Sequence, residues 1–258
     1  MIFESNVHFD EVANSYERLR EDVYLADIMD IMKKYTMKND LLMDIASGTG
    51  RISTNVCRSL NLRLILVDKN IHMLNVAMKK INMQHKMDKL INMNIYDFLK
   101  DGGKTDSIKI NDVNIFTCFN AIHWTGLGLF KKLEEKMSPG SLFVILTRTK
   151  KQNKESFFGL NFPKFADKEN RLFSLDQLLD EFKRCNLSVV DTKFLKHQIL
   201  QKKSKLLEQA KRKSYSTFSL YSNEEYEKAM RIFKDNISSK PEILNVQYEN
   251  LLIIGKKL

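Results

Sequence analysis

Short apolar runs alternate with amphipathic stretches along most of the chain. In the first forty residues, apolar side chains recur at intervals of three and four, which predicts an N-terminal helical segment. Seven apolar runs of strand length then begin near residues 41, 62, 90, 113, 141, 187 and 249. Strands that alternate with helices form parallel crossovers in a sheet that is buried on both faces. The pattern therefore predicts an α/β fold with a doubly wound, seven-stranded, mostly parallel sheet, N-terminal helices and a helical cap region.

The same pattern predicts how the chain is organised. Residues 1–40 are expected to form an N-terminal helical cap, and residues 41–258 an α/β domain with substrate-facing insertions at about 150–172 and 200–237. Residues 150–170 are interpreted as irregular and polar, and residues 200–237 as helical and basic. Five phenylalanines in this part of the chain fit either a local core or an apolar acceptor pocket: Phe157, Phe158, Phe162, Phe165 and Phe173.

The composition is that of an ordinary globular protein. Of the 258 residues, 43% are hydrophobic and 29% are charged, and no apolar run approaches the ~20 residues that a membrane span needs. The N-terminal residues lack the order of a signal peptide, so a cytoplasmic location is expected and a membrane partner is not. Three widely separated cysteines lack the spacing of a disulfide framework or a zinc site, so no metal is expected.

The net charge limits the expected partners. It is +10, with 32 Lys against 10 Arg. Because phosphate recognition favours the forked guanidinium of Arg, this scattered Lys surplus does not indicate a nucleic-acid site. Residues 193–213 concentrate basic side chains, which fit either a solvated helix face or a cover that attracts an anionic substrate.

A glycine-containing loop, DIASGTG at residues 44–50, joins the first predicted strand to a helix. Gly48 and Gly50 let backbone N–H groups approach a ligand, and the helix presents its positive end. The loop lacks the GK[ST] of a phosphate-binding loop and the third glycine of the dinucleotide fingerprint. The second strand ends at Asp68, where a carboxylate can bind a ribose diol, although a cap on the next helix is the alternative.

These segments together resemble a class I S-adenosylmethionine-dependent methyltransferase, of the small-molecule branch that includes trans-aconitate and ubiquinone-biosynthesis enzymes. The resemblance covers most of residues 9–150 and implies a Rossmann-like methyltransferase fold with S-adenosyl-L-methionine as cofactor and S-adenosyl-L-homocysteine as product. By position, it places the methionyl part of the cofactor on Asp44, Ala46, Ser47, Gly48, Thr49 and Gly50. Ala46 and Ser47 stand where the family more often has Gly and Cys. The resemblance assigns the ribose to Asp68 and the adenine pocket to Lys69 and Met73.

Three further segments resemble the family. In MNIYDF, Asn94 would bind the adenine amino group and the Ile95 N–H a ring nitrogen, with Tyr96 and Asp97 beside them; Asn94 also fits a turn at a strand end. In CFNAIHW, the resemblance places Phe119 and Asn120 under the sulfonium and turns His123 and Trp124 toward the acceptor. FDEVANSYERLR is similar to an N-terminal motif whose Tyr and Arg close over the cofactor, here Tyr16 and Arg20. Arg20 is a candidate partner for the methionine carboxylate.

Two residues are assigned to the acceptor and its chemistry. Methyl transfer is an in-line displacement that needs alignment, a dry pocket and, for a weakly acidic nucleophile, a base. His123 is the only histidine that adjoins the predicted site, and its imidazole can take a proton at neutral pH. The alternative is that it only packs beside Trp124. Tyr215, within residues 211–222, is predicted to belong to a lid over the substrate.

The leading hypothesis is methyl transfer to a small-molecule acceptor, with an anionic acceptor as one option, by a monomer or a homodimer. Three alternatives remain open. The chain can cyclise or cleave the aminobutyrate arm of the cofactor, methylate RNA, or bind the cofactor without turnover. The RNA alternative is weakened because CFNAIHW occupies the place where base-amino methylases carry [DNS]PP[YFW].

Overall fold

The structure is a computed structural model that describes residues 13, 17–20, 22–81, 89–105 and 108–258. Within these residues, nine strands follow one another in chain order: β1 (Leu41–Ile45), β2 (Arg63–Asp68), β3 (Lys89–Asn92), β4 (Lys104–Thr105), β5 (Ile108–Lys109), β6 (Ile115–Phe119), β7 (Leu142–Thr147), β8 (Leu187–Lys202) and β9 (Ile243–Lys257). Strands β4 and β5 form a separate two-stranded hairpin, and the other strands form one sheet.

The main sheet has seven strands in the order β3-β2-β1-β6-β7-β9-β8. Strands β1, β2, β3, β6 and β7 pair in parallel, whereas β9 runs antiparallel to both β7 and β8. The predicted doubly wound, mostly parallel sheet is therefore confirmed. The order reverses between β1 and β6, and ligands of open α/β sheets bind at such a switch point, beyond the carboxyl ends of the strands.

Twelve α-helices surround the main sheet in the described part of the chain: α1 (Leu25–Met32), α2 (Arg51–Leu60), α3 (Ile71–Ile81), α4 (Ile95–Lys100), α5 (Ile122–Thr125), α6 (Gly128–Glu134), α7 (Lys150–Glu155), α8 (Phe157–Asn161), α9 (Phe165–Lys168), α10 (Leu175–Arg184), α11 (Lys203–Lys211) and α12 (Asn223–Ser238). Two 3₁₀ turns, Ile110–Asp112 and Ser216–Leu220, complete the framework. No described helix is long and apolar enough to cross a membrane.

Helices bury both faces of the sheet. Successive strand residues point to opposite faces, so Met43 packs into the cluster that contains Phe130 of α6, while its neighbour Leu42 packs with Val56 of α2. All five side chains of β1 are buried, which explains why its sequence is a continuous apolar run broken only by Asp44. That carboxylate is consequently held inside the core, at the end of the strand that leads into the glycine loop.

Some local predictions are wrong. Residues 150–170, expected to be irregular, form the three short helices α7, α8 and α9. The predicted strand near residues 90–96 ends at Asn92, and α4 begins at Ile95. The strand expected from residue 113 to 122 covers only Ile115–Phe119.

The phenylalanine cluster is core rather than pocket. Phe158, Phe162 and Phe165 are buried against Phe218 and against Phe233 of α12. They form an apolar cluster separate from the two that cover the faces of the sheet. Their rings meet at centroid distances such as 4.9 Å between Phe162 and Phe218. Phe157 packs against the same cluster, whereas Phe173 belongs to the edge of the main core and reaches a cavity described below. The apolar-pocket alternative therefore fails for the cluster as a whole.

Candidate functional site

Two adjoining cavities open at the switch point. The larger has a volume of about 730 Å³ and the smaller about 130 Å³. Five residues belong to the walls of both: Arg51, Ile52, Asn120, His123 and Trp124. A molecule in the larger cavity and a molecule in the smaller one would therefore meet across these side chains.

The glycine loop forms one wall of the larger cavity. The backbone of Ala46, Gly48 and Gly50 is left-handed, with φ of 51°, 55° and 61°. Gly50 is required because a Cβ there would lie 2.8 Å from Cδ1 of Leu66 in the core. Ala46 accepts a conformation that favours glycine, which is strain at the residue where the resembling family more often has Gly. The loop thus bends sharply enough to turn backbone groups toward the cavity.

Asp68 joins the loop to the end of β2. Its Oδ2 accepts a hydrogen bond from the Gly48 N–H at 2.7 Å, and its Oδ1 accepts one from the Asn70 N–H at 2.8 Å. Burial raises the pKa of Asp68, while these two backbone hydrogen bonds oppose the rise. The cap of α3 is instead Asn70, whose Oδ1 accepts from the Met73 N–H at 2.9 Å. Each Asp68 oxygen keeps a second lone pair for a ligand hydroxyl.

Asp44 is a second buried carboxyl at this wall, 2% exposed. The Thr117 hydroxyl donates to its Oδ1 at 2.7 Å. Burial raises the pKa of Asp44 to about 7, hydrogen bonds from Ser53 and Thr117 oppose that rise, and the charge of Asp68 adds to it. Asp44 therefore exchanges its proton near neutral pH.

The segment after β3 places Asn94 and Tyr96 in another part of the wall of the larger cavity. The Asn94 side chain accepts a hydrogen bond from the Tyr96 N–H at 2.9 Å and so caps α4. The Tyr96 hydroxyl donates to the Thr125 carbonyl at 2.6 Å, which ties α4 to α5. The oxygen of the Asn94 amide is thus used within the chain.

Most residues predicted to hold the cofactor lie together in the wall of the larger cavity: Asp44, Ala46, Ser47, Gly48, Thr49, Asp68, Lys69, Met73, Asn94, Ile95, Tyr96, Asp97, Phe119 and Asn120. Gly50 shapes the loop behind this wall. Arg20 lies in the wall of the smaller cavity, with Tyr215. Tyr16 lies outside the described residues.

His123 sits between the cavities, on the short helix α5. Its Nε2 lies 3.4 Å from the Ser216 hydroxyl, and its Nδ1 is buried without a hydrogen-bond partner among the described residues. Burial lowers the pKa of His123 to about 4; the negative charge of Glu169 opposes this, and the nearby Arg171, Arg20 and Arg148 add to it. The imidazole is therefore neutral at pH 7.

Several residues of these walls were not identified from the sequence. Glu169 and Arg171 form a bidentate ion pair, with Nη2 to Oε2 at 2.6 Å and Nε to Oε1 at 2.8 Å, and both side chains are less than a tenth exposed. The Arg171 guanidinium also lies 4.1 Å from the centre of the Trp124 ring. Arg148 comes directly after β7, and its position just beyond the carboxyl end of a parallel strand was the signal that could have identified it.

Fold and site together define a class: the protein has the class I S-adenosylmethionine-dependent methyltransferase fold, and the resemblance inferred from the sequence is confirmed at that level. No protein-family model matches the chain, and no curated protein matches it. Solved structures, in contrast, do match the chain.

The particular structures that it resembles are methyltransferases by their descriptions. A protein from Anabaena variabilis, assigned as a methyltransferase from an antibiotic biosynthesis pathway, has a TM-score of 0.62 at 14% identity over 90% of this chain and 97% of its own. A protein from Bacillus halodurans, also assigned as a methyltransferase, has a TM-score of 0.57 at 14% identity over 90% and 99%.

A third similar structure is phosphoethanolamine N-methyltransferase 2 of Haemonchus contortus. It contains phosphomonomethylethanolamine and S-adenosylhomocysteine, and it has a TM-score of 0.56 at 14% identity. The match covers 96% of this chain but only 57% of that longer one. At such low sequence identity, the structural likeness establishes the fold only. The activity has to be inferred from the chemistry of the site.

Proposed function

We propose that the protein binds S-adenosyl-L-methionine in the larger cavity and transfers its methyl group to a small-molecule acceptor in the smaller one. One observation carries the proposal. The Gly48 N–H to Asp68 hydrogen bond, 2.7 Å long, brings the glycine loop and the carboxylate of the second strand into one wall of one cavity. Its volume of about 730 Å³ is within the range of roughly 300–1,000 Å³ for small-molecule sites.

The wall of the larger cavity fits the cofactor chemically. Asp68 retains lone pairs for ribose hydroxyls, and Ser47 Oγ is buried without a partner among the described residues. When bound, the cofactor supplies an activated methyl group on a sulfonium. Asp68 and, above its pKa of about 7, Asp44 place negative charge in this wall, which favours a positively charged group of the ligand.

The residues shared by the two cavities would align the reaction. Phe119 ends β6 at the larger cavity and Asn120 follows it, and His123 and Trp124 lie in the wall that the two cavities share. The Asn250 side chain donates to Asn120 Oδ1 at 2.8 Å and fixes that amide. His123 is neutral, so its Nδ1 lone pair or N–H remains for the acceptor, and we assign it the role of accepting the proton of the nucleophile.

The acceptor is a small molecule, and the walls favour an anionic one. Arg20, Arg148 and Tyr215 line the smaller cavity, with the Arg20 guanidinium 4.0 Å above the Tyr215 ring. The volume of about 130 Å³ supports a small acceptor. The substrate-facing roles of residues 150–172 and 200–237 are supported by Asn153 and Tyr215, which lie in this wall.

Calorimetry with S-adenosyl-L-homocysteine tests the cofactor site. We expect saturable binding to the wild-type protein and at least tenfold weaker binding to Asp68→Ala, because the hydroxyl acceptor and the support of the Gly48 N–H are both lost. Asp235→Ala removes an exposed carboxylate from α12 and should bind as the wild type does. Absence of binding to the wild type would refute the proposal.

Mass spectrometry distinguishes methyl transfer from its alternatives. Wild-type protein with S-adenosyl-L-methionine and a small-molecule extract should release S-adenosyl-L-homocysteine only when the extract is present. Release of methylthioadenosine would instead show cleavage of the aminobutyrate arm. Binding without either product, across extracts, would leave a cofactor-binding protein.

A further inference from the structure

The smaller cavity contains polar atoms that nothing in the described part of the chain satisfies. Tyr24 is 8% exposed and Ser214 is 3% exposed, and both hydroxyls are buried without a hydrogen-bond partner. The Nδ1 atom of His123, in the wall shared with the larger cavity, is also buried without a hydrogen-bond partner among the described residues. A buried polar group that stays unsatisfied destabilises the fold, so unpaired groups in one cavity wall indicate a ligand with several polar atoms.

The charge of this wall indicates the sign of that ligand. Arg148 is half-buried, and no carboxylate in the described residues lies within ion-pair distance of it. Its guanidinium is 5.6 Å from the centre of the Tyr215 ring, on which Arg20 also stacks. The buried acid of this wall, Glu169, is already neutralised by Arg171 and accepts a hydrogen bond from the Thr217 hydroxyl at 2.8 Å.

The unpartnered hydroxyls are donors to an anion. Burial raises the pKa of Tyr24 far above its ordinary value, with the Arg148 charge opposing the rise, so the phenol keeps its proton at any pH of interest. Ser214 contributes a second hydroxyl, and a guanidinium contributes a planar fork of N–H groups that matches a carboxylate or phosphate.

We propose that the oxyanion of the acceptor, a carboxylate or a phosphate, binds between Arg148, Tyr24 and Ser214, so that the nucleophile of the same molecule faces His123. The inference rests on the proposed function and specifies its substrate class: a small molecule with an oxyanion at one end and a methylatable atom at the other. A cationic acceptor is excluded by the same arrangement, because it would leave both hydroxyl protons unsatisfied beside a guanidinium.

Binding of the anion also changes His123. Three guanidinium groups help to keep its pKa low, and a negative charge placed among them would raise that pKa toward its ordinary value of 6.5. An anionic acceptor would therefore make His123 a stronger proton acceptor at the moment when a base is needed.

Titration of simple anions into the protein loaded with S-adenosyl-L-homocysteine tests the inference. Sodium phosphate and sodium acetate are the probes, at constant ionic strength in chloride, and binding is measured by the rise in melting temperature. Trp124, the single tryptophan of the chain, lies in the wall of both cavities and reports the same binding by fluorescence. We expect saturable binding of at least one probe, and the one that binds identifies phosphate or carboxylate.

Variants locate the binding. Arg148→Gln should weaken anion affinity at least tenfold, Arg148→Lys less, and Tyr24→Phe several-fold. Arg231→Gln deletes an exposed charge on α12 and should leave the affinity unchanged. Each variant must first bind S-adenosyl-L-homocysteine as the wild type does, which verifies folding without relying on the anion.

Two results would overturn the inference while the proposed function stands. One is intact binding of S-adenosyl-L-homocysteine with no saturable effect of either anion. The other is equal anion affinity in Arg148→Gln and the wild type. Failure of the wild type to bind S-adenosyl-L-homocysteine would refute the proposed function instead, whatever the anions do.

Discussion

The protonation state of His123 affects both the stability of the fold and the proposed chemistry. Burial lowers its pKa to about 4 in the folded protein, against an ordinary value of 6.5. In the unfolded chain the imidazole gains a proton at a higher pH than in the folded protein. The contribution of His123 to stability is therefore fully present above pH 6.5 and is lost as the pH falls toward 4.

The free energy of unfolding of the wild type should fall between pH 7.5 and pH 5, and it should fall less in His123→Asn. Each unit of difference between the folded and unfolded pKa corresponds to about 1.4 kcal/mol. Urea unfolding at the two pH values measures this. His72→Asn, at an exposed position on α3, is the control and should retain the wild-type decrease. An unchanged decrease in His123→Asn would contradict the buried neutral imidazole.

Asp44 should produce the opposite dependence. Its pKa is raised to about 7 by burial, so the folded protein holds a proton that the unfolded chain releases near pH 4. Its stabilising contribution is present below about pH 4 and is lost as the pH rises to about 7. Asp44→Asn keeps the shape and cannot ionise. Relative to wild type, its free energy of unfolding should therefore increase between pH 4 and pH 7, as followed by urea unfolding, and a constant difference would refute the assignment.

At the scale of elements, the strands and most long helices were predictable because their apolar periodicity is strong. The segment after β7 was not, since α7 has no apolar face to reveal it. A signal did exist: Thr149 and Gln152 form a capping box, with the Thr149 hydroxyl accepting from the Gln152 N–H and the Gln152 amide accepting from the Thr149 N–H at 2.7 Å. The same spacing recurs at Ser174 and Gln177, where the capping box precedes the amphipathic helix α10.

The end of β3 shows a different limit. MNIYDF contains β-branched and aromatic residues that favour a strand, but Asn94 caps a helix whose Ile95 and Phe98 are buried in the core. Packing of two apolar residues overrides the local preference. The segment still lies in the cavity wall, so its functional assignment does not depend on its secondary structure.

The Glu169–Arg171 pair should stabilise the loop between α9 and α10. Arg171→Met leaves Glu169 buried without its cation, which costs about 3–5 kcal/mol for such a pair. Chemical denaturation of Glu169→Gln, Arg171→Met and the double variant gives the coupling. Lys132→Met breaks an ion pair with Glu135 in which the two side chains are 55% and 40% exposed, and it should cost less than about 1 kcal/mol. Equal losses in Arg171→Met and Lys132→Met would contradict the prediction.

At the scale of the whole molecule, sheet topology explains why the residues of the larger cavity were easier to predict from the sequence than those of the smaller one. The larger cavity is formed mainly by segments that follow the ends of strands β1, β2, β3 and β6. Because each segment can be located once the strands are assigned, the sequence points to its residues. The smaller cavity joins Tyr24, Arg148 and Ser214, which come from three segments with no shared motif. Only the folded chain brings them together. Sequence patterns therefore pointed to other residues of this wall, such as Arg20 and Tyr215, but missed these three.

The sheet also predicts how ligand binding affects unfolding. Strand β1 lies in the middle of the sheet and pairs with β2 on one side and β6 on the other, so a ligand held by the loop after β1 and by Asp68 stabilises both halves together. S-adenosyl-L-homocysteine at one hundred times its dissociation constant should add about 2.7 kcal/mol to the free energy of unfolding. Trp124 fluorescence and far-ultraviolet circular dichroism should report one coincident transition that shifts as a whole. Two separated transitions, of which only one responds to the ligand, would show that the sheet does not unfold as a unit and that the cofactor loop belongs to a locally stable part of it.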